Sequence, residues 1–296
     1  AAAAAAAASS SSSSSKIAAD TCRFPCGPLM QPEHCNALGQ PVGFPMPGWS
    51  PPPALPAPVR LDGTLHAELR PLDPELHAAP LFAALAPEDF EGLPRGPFTD
   101  AASLGEWLRT LNDQPGRRCV FAVAVAGRDA PEGLAMLAGA LPDKGTVNVG
   151  AVFGAGMRRT AASTEALHRV VRLAFDLGYR RVAWRSTASN MVSAAAAQRL
   201  GFRLEAVHRQ HAIKGGMLED RVILSLTDAQ WPAVCAAHSA WLGSPAAGTL
   251  GPATAAALAR SPGAVAAADA APSASPPRPP APVPEGWAPP PPPPPA

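Results

Sequence analysis

Residues 149–165 have the sequence VGAVFGAGMRRTAASTE, in which an apolar run passes through a loop of small residues into a helix. The first N–H groups of a helix have no partner within the helix, and they carry the positive end of its dipole. Small side chains at positions 161–163 would let a pyrophosphate approach these amides, and Arg158 and Arg159 would add positive charge. The alternative is an ordinary capped helix start with two solvated arginines. The stretch by itself favours an anion site only slightly, so the choice between these two interpretations depends on the rest of the sequence.

Three apolar runs precede this loop and are separated by short turns. They cover Arg118–Val125, Gly133–Leu141 and Thr146–Phe153. The connections contain GRD at 127–129 and PDKG at 142–145, which are turn sequences. Short turns join strands as hairpins, so we expect this part of the sheet to be antiparallel.

The chain upstream supplies a strand and two helices. Apolar and polar residues alternate between Arg60 and Arg70, which predicts a strand with one buried face. Asp73 followed by Pro74 predicts a capped helix start. A second helix is predicted to open at Thr99 and Asp100, with apolar residues at helical spacing: Leu104, Trp107, Leu108 and Leu111.

Downstream of the loop, helices alternate with strands. The helix that follows the loop has one apolar stripe and ends at Gly178, with the stripe formed by Leu167, Val170, Val171, Ala174 and Phe175. A strand is predicted at 182–186, a helix at 190–200, and strands at 202–213 and 221–226. Together these elements predict a mixed α/β sheet, antiparallel first and then partly parallel, with helices on both faces.

Composition divides the 296 residues into one folded domain and two low-complexity flanks. The chain opens with tracts of alanine and serine, and its last 25 residues contain 14 prolines. We therefore expect four parts: a disordered segment at 1–37, a proline-rich lead-in at 38–58, the domain at 59–243, and an alanine- and proline-rich disordered tail at 244–296.

Charge and hydropathy exclude two classes of partner. The formal net charge is +1, which gives no electrostatic footprint for nucleic acid. No apolar run reaches the roughly 18 residues that a spanning helix needs, so we expect no membrane insertion. The proline tail favours an extended polyproline II form, which predicts either an SH3-like or WW-like partner or an extension without one.

The N-terminal segment leaves localisation open between two interpretations. It is rich in serine and has no acidic residue before Asp20, as in a plastid or mitochondrial transit peptide, but it has few basic residues. We expect a cytoplasmic protein, with organellar targeting as the alternative.

The same segment contains cysteine and histidine residues that could form a zinc site, but their spacing is not that of a zinc knuckle. We therefore expect no metal and a reduced intracellular setting. The members of this possible zinc set would be Cys22, Cys26, His34 and Cys35.

Several motifs in the right order resemble the GNAT superfamily of acyl-CoA-dependent N-acetyltransferases, and in particular the branch of ribosomal-protein N-terminal acetyltransferases. The resemblance covers about residues 38–232. Its motifs are RRTAASTEA at 158–166, LGYRRV at 177–182, Asn190 with Ser193, and RLGF at 199–202, supported by GQPVG at 39–43, PLDPELH at 71–77 and RQH at 209–211.

The resemblance implies a fold of the α/β (α+β) class, with a GNAT-type, mostly antiparallel sheet of six to seven strands. It implies acetyl-CoA as the co-substrate and a primary amine, on a small molecule or a protein N-terminus, as the acceptor that attacks directly. Ser193 would help to protonate the departing thiolate. Cofactor contacts would come from Val149, Ala151, Val152, Arg158, Arg159, Thr160, Ala161, Ala162, Ser163, Thr164, Asn190 and Ser193.

The chain departs from the family at the position of the usual base. Asn148 stands where the branch has a glutamate, and an asparagine cannot accept a proton. The alternative function is therefore an acyl-CoA-binding module with weakened catalysis. Tyr179 is the single tyrosine, and its place at a helix end predicts packing rather than acid catalysis. Other candidate bases are Glu219, Asp220, His211 and Glu68, and an acidic part of the substrate could meet Arg203, Arg209 and His208.

Overall fold

The computed structural model of the protein describes most of the chain between residues 34 and 260. The described ranges are 34–35, 41–42, 46, 48–61, 65–90, 93, 95–246 and 248–260. Cys22 and Cys26 of the possible zinc set, and the proline tail beyond residue 260, lie outside these ranges. Among the described residues, no group of three or more potential ligands could hold a metal ion.

Within the described ranges, nine strands form two sheets. Two short strands, β1 (His34–Cys35) and β2 (Pro41–Val42), pair with each other in antiparallel fashion. The other seven form one sheet in the order β3-β4-β5-β6-β7-β9-β8, and all its neighbours are antiparallel except the parallel pair β6–β7. They are β3 (Ala67–Pro71), β4 (Arg118–Val125), β5 (Gly133–Leu141), β6 (Thr146–Phe153), β7 (Arg181–Thr187), β8 (Arg203–Lys214) and β9 (Met217–Thr227).

The described part of the chain contains six α-helices around this sheet, and the first two begin where the sequence predicts. The side chains of Asp73 and Asp100 accept hydrogen bonds from amides of the first helical turn, as expected for these N-caps. The helices are α1 (Pro74–Ala84), α2 (Ala101–Asn112), α3 (Ala161–Asp176), α4 (Met191–Arg199), α5 (Trp231–Gly243) and α6 (Leu250–Ala259).

The sheet separates two apolar cores. On the face that we call the front, α1 and α2 pack against alternate residues of β4, β5 and β6, including Leu134 and Val152. On the back face, α3 packs against the intervening residues, including Val147, Val149 and Trp184. Alternation of side chains along each strand produces this division, and the predicted fold class is confirmed for the described residues.

The strand predicted within residues 60–70 is shorter than expected. Leu65 is 64% exposed, and β3 begins at Ala67. The buried carboxylate of Glu165, on α3, accepts hydrogen bonds from the amides of Leu65, His66 and Ala67 at 2.6–3.0 Å. These amides bind the Glu165 side chain and not a neighbouring strand. The chain before Ala67 is therefore held against α3, and the strand β3 begins at Ala67.

The folded part extends beyond the predicted domain end at residue 243. Helix α6 packs on α5, and its Leu250 and Leu258 join the back core. Thr254 is buried and donates a hydrogen bond to the carbonyl of Arg199 at the end of α4, 2.9 Å away. Alanine dominates this helix and buries little surface, so composition alone assigned it to the tail.

No described helix combines the length and the apolar character that crossing a bilayer requires.

Candidate active site

The parallel strands β6 and β7 pair at one end and separate at the other. Their register runs from Thr146 opposite Arg181 to Val149 opposite Trp184. Beyond that point, β6 continues to Phe153 paired with β5, while β7 continues to Thr187 paired with β9. The backbone edge of residues 150–153 that faces β7 is therefore free of strand pairing, which makes an opening in the middle of the sheet.

The loop after β6 is held close to the chain around it. A Cβ atom on Gly154 would lie 2.3 Å from the carbonyl oxygen of Ala84, and one on Gly156 would lie 2.2 Å from Oε2 of Glu132. The amide of Gly154 also donates to the carbonyl of Glu132 at 2.9 Å. Glycine is required at position 154, because a side chain there would collide with backbone oxygens, whereas at position 156 the Glu132 side chain would have to move aside.

Helix α3 starts at the same end of the sheet as the opening. Thr160 is its N-cap and accepts a hydrogen bond from the amide of Ser163 at 3.3 Å. The amides of Ala161 and Ala162 precede the first intrahelical bond, so they are available to an anion. Arg159 is exposed and has a φ of 60°, in the left-handed region that favours glycine. This backbone conformation directs the chain from the loop into the start of α3.

Two predicted cofactor contacts have other partners. Arg158 forms an ion pair with the buried carboxylate of Asp89 and donates from Nε to the carbonyl of Phe153 at 3.0 Å. Its guanidinium therefore ties the loop to the 3₁₀ helix Pro87–Phe90. Thr164 is fully buried and donates to the carbonyl of Thr160 at 3.2 Å. The ion pair of Arg158 with Asp89 could not be indicated by the sequence, because it does not follow from local spacing. The bond of Thr164 to the carbonyl four residues before it is a usual one for a helical threonine.

Asn148 lies on the front face of β6 and is engaged by the neighbouring strand. Its Nδ2 donates to the carbonyl of Ala138 on β5 at 3.1 Å. A bulge interrupts the β5–β6 pairing between Ala138 and Leu141, and Gly139 there has a φ of 59°. The side-chain amide of Asn148 thus supplies a hydrogen bond to the carbonyl of Ala138 at this bulge.

Asn190 and Ser193 form a connected arrangement with Trp184. Asn190 caps α4, accepting from the amide of Ser193 at 3.0 Å. The indole Nε1 of Trp184 donates to Oγ of Ser193 at 3.0 Å. An indole N–H can only donate, so the serine oxygen accepts and its own proton remains free to be given to another group.

Tyr179 is buried and donates to the carbonyl of Pro53 at 3.0 Å, which confirms its packing role.

The four candidate bases fall in different places. Glu68 lies on β3, at the far edge of the sheet, where Arg70 lowers its pKa through a side-chain hydrogen bond. Asp220 accepts from the amide of Gln210 at 2.7 Å, and its strand position faces the back. Glu219 lies on the same face of β9 as Arg221, and the ring of His211 is 5.6 Å from that of His208. Partial desolvation and the charges of Arg221, His208 and Arg185 lower the pKa of His211, which favours the neutral imidazole.

The predicted basic residues of β8 are only partly brought together. His208 pairs with Arg221 of β9 on the front face, and its ring centroid is 5.6 Å from that of His211. Arg203 pairs with Ser225 near the opposite end of the hairpin. Arg209 is exposed beside the bulge. Arg185 and Arg221 also lie on this face but were not predicted, because their proximity depends on strand register.

The profile of the acetyltransferase (GNAT) domain family matches residues 66–203. No curated protein matches the chain significantly. Among solved structures, a probable GNAT-family acetyltransferase from Chromobacterium violaceum is 31% identical, with a TM-score of 0.60, over 65% of this chain and 97% of its own. A GCN5-related N-acetyltransferase from Brucella melitensis is 32% identical, with a TM-score of 0.63, over 68% of this chain and 91% of its own.

A more distant structure shares the fold alone. The microcin C7 self-immunity acetyltransferase MccE, solved in complex with acetyl-CoA and AMP, is 17% identical, with a TM-score of 0.51, over 59% of this chain and 98% of its own. The two relatives above 30% identity are matched over nearly their whole length. The separated parallel strands, the loop into α3 and these relatives agree: the chain belongs to the GNAT family of acetyltransferases.

Proposed function

We propose that this protein transfers the acetyl group of acetyl-CoA to a primary amine, on a small molecule or a protein N-terminus, by direct attack in a ternary complex. The observation that carries the proposal is the separation of β6 and β7 after Val149 and Trp184, next to the N-terminus of α3. Unpaired backbone beside a helix N-terminus suits a ligand with an extended amide arm and a pyrophosphate.

The loop and α3 would hold the phosphate end of acetyl-CoA. The amides of Ala161 and Ala162 and the exposed guanidinium of Arg159 are the anion-binding groups in reach of a ligand at the loop. Arg158 would act indirectly, because its ion pair with Asp89 holds the loop in place. Thr160, Ser163 and Thr164 would contribute mainly backbone, since their hydroxyls serve the first turn of the helix.

The free edge of β6 would hold the reacting end. Acetyl-CoA supplies an activated acyl group whose carbonyl oxygen gains negative charge as the amine attacks. Those backbone N–H groups of residues 149–152 that point away from β5, at and just beyond the last pair with β7, would stabilise that oxygen. Held donors of this kind cost no reorganisation during the reaction, so they lower the barrier.

Proton transfer would use Ser193 and His211. The hydroxyl of Ser193 accepts from Trp184 and keeps its own proton, so it can protonate the leaving thiolate. His211 favours the neutral state and can take the proton that the ammonium group of the substrate must lose before its nitrogen can attack. The alternative function, acyl-CoA binding with weakened catalysis, rests on Asn148, whose amide is engaged with Ala138.

The test measures CoA release from acetyl-CoA by the full chain with a broad panel of amines. We expect release above background with some amines, and a fall in kcat of about a hundredfold or more in Ser193→Ala, the scale of general acid catalysis. Ser189→Ala is the matched control, because the Ser189 hydroxyl donates to the neighbouring hydroxyl of Thr187, 3.2 Å away, and not to Trp184 or Asn190. Acetyl-CoA binding without release for any amine would favour the alternative function.

A further inference from the structure

The front face beside the opening carries two arginines on adjacent strands. Arg185 is the first residue of β7 after the last pair with β6, and it pairs with Ile223 of β9. Arg221, two residues from Ile223, pairs with Thr187 of β7 and with His208 of β8. Partners across strands share a face of the sheet, so Arg185, Arg221 and His208 lie on the same side.

The opposite end of the same face shows how this protein neutralises an arginine. Arg181, at the start of β7, donates from Nη1 to Glu205 at 2.6 Å and to Ser225 at 2.8 Å. A second bond joins its Nη2 to the other carboxylate oxygen of Glu205. Glu205 in turn accepts from the hydroxyl of Ser225. Here the positive charge is fully matched within the sheet.

Arg185 and Arg221 have no such match. Neither forms an ion pair with any residue in the described part of the chain. Glu219 lies on the same strand face as Arg221 but forms no ion pair there, and the carboxylate of Asp220 accepts from the amide of Gln210 instead. His208 and His211 add two further groups that gain positive charge on protonation, so the cluster contains no neutralising carboxylate in contact.

A bound carboxylate would neutralise the positive charge of Arg185 and Arg221. Like charges on neighbouring strands repel, and each guanidinium offers a planar fork of donors that matches the two oxygens of a carboxylate. Arg185 and His208 are exposed and Arg221 is half-buried, so a ligand can reach all three. Since Arg185 directly follows the last pair of β6 and β7, such a ligand would stand next to the proposed site of the thioester.

We propose that the acceptor amine carries a carboxylate close to the amine, and that Arg185 and Arg221 bind this carboxylate on the front face. This inference rests on the proposed function and names its substrate class. The carboxylate could belong to a free amino acid or to an acidic first residue of a polypeptide, and the chemistry of recognition is the same for both. Arg185 and Arg221 are then specificity-determining residues.

The experiment compares amines that differ only in the carboxylate. Phenylalanine against phenethylamine tests a free amino acid, and amidated Asp-Ala against amidated Asn-Ala tests a polypeptide N-terminus. We expect the carboxylated member of at least one pair to have a kcat/KM higher by about tenfold or more in the wild-type chain. Arg185→Gln and Arg221→Gln should remove that preference. Arg172→Gln, on α3 behind the sheet, is the matched control and should retain it.

Binding separates this inference from the proposed function. Calorimetry with the same amine pairs, in the presence of CoA, needs no turnover. Tighter binding of a carboxylated amine that is lost in Arg185→Gln would support the inference even if no amine were acetylated. Equal kcat/KM or equal affinity within both pairs would overturn it, as would a preference that survives in Arg185→Gln and Arg221→Gln together, while acetyl transfer itself could still stand.

Discussion

Two pairs of histidines lie in different parts of the molecule. His168 of α3 and His238 of α5 are buried on the back side, with their Nδ1 atoms 3.2 Å apart and their ring centroids 5.3 Å apart. His208 and His211 are exposed on β8, with ring centroids 5.6 Å apart. The distances between the rings are similar, but the surroundings are opposite.

The difference shows two ways in which a fold keeps a histidine neutral. Burial lowers the pKa of His168 to about 4 and that of His238 to about 3, with nearby positive groups adding to the effect. The pKa of His211 is lowered first by partial desolvation and then by the charges of Arg221, His208 and Arg185, while the side chain remains accessible. The buried pair can therefore contribute only to stability, whereas His211 can still exchange a proton with a substrate.

The largest expected effect is the loss of stability in acid through the buried pair. In the unfolded chain both histidines have their ordinary pKa of 6.5, above their values in the fold. The unfolded state therefore takes up more protons as the pH falls below 6.5, and the free energy of unfolding decreases. We expect a decrease of about 2–4 kcal/mol between about pH 7 and pH 5, measured by urea unfolding.

The exposed pair provides the control for this measurement. The double variant His208→Asn/His211→Asn should keep the same acid-induced decrease, since the buried pair is intact. Replacing both His168 and His238 by leucine should flatten the dependence, because two apolar groups then replace the two polar partners. A wild-type free energy of unfolding that stays constant from pH 7 to pH 5 would contradict the account.

The second effect concerns activity at the exposed pair. His211→Asn should lower kcat/KM by about a hundredfold at neutral pH, the lower range for loss of a general base, and leave the urea midpoint unchanged. His208→Asn is the matched control and should lose much less activity, because it leaves the proposed base in place. Wild-type activity in His211→Asn would assign proton removal to another group.

The smallest effect is a displaced pH profile. Arg221 is the first of the charges that lower the pKa of His211, so Arg221→Gln should move the acid limb of kcat/KM to higher pH. The profile is measured with phenethylamine, which has no carboxylate to lose. Arg172→Gln should leave the limb where it is in the wild type. If the acid limb does not move in Arg221→Gln, or moves to lower pH, then the limb does not report the protonation of His211.

Local patterns predicted the middle of the sheet well. The bounds predicted for β4, β5 and β6 agree with the observed strands. Each run is apolar and bordered by turn residues, and a hairpin needs nothing from the rest of the chain. Helix α6 escaped prediction because an alanine-rich segment has no visible apolar stripe. The similarity to the ribosomal-protein acetyltransferase branch stays a prediction.

The candidate site was predictable only in part. The loop before α3, the cap at Asn190 and the serine after it follow from sequence order, and the structure brings Ser193 to Trp184. The ion pair of Arg158 with Asp89 joins residues far apart in the chain. Asn148 meets Ala138 at a bulge that no local pattern indicates. Such contacts depend on the register between elements, which a one-residue shift would change completely.

The sequence by itself determined the bounds of the three central strands, the starts of the first two helices, and that a small-residue loop leads into a capped helix. These features depend on neighbours along the chain, through backbone hydrogen bonds and side-chain periodicity. Only the tertiary structure decided that β6 and β7 separate after Val149, that Arg181 is matched by Glu205, and that Arg185 and Arg221 meet unmatched beside the opening. The reason is physical: charges and free backbone edges acquire their partners across strands, and local sequence patterns do not show which strands become neighbours when these are far apart in the chain.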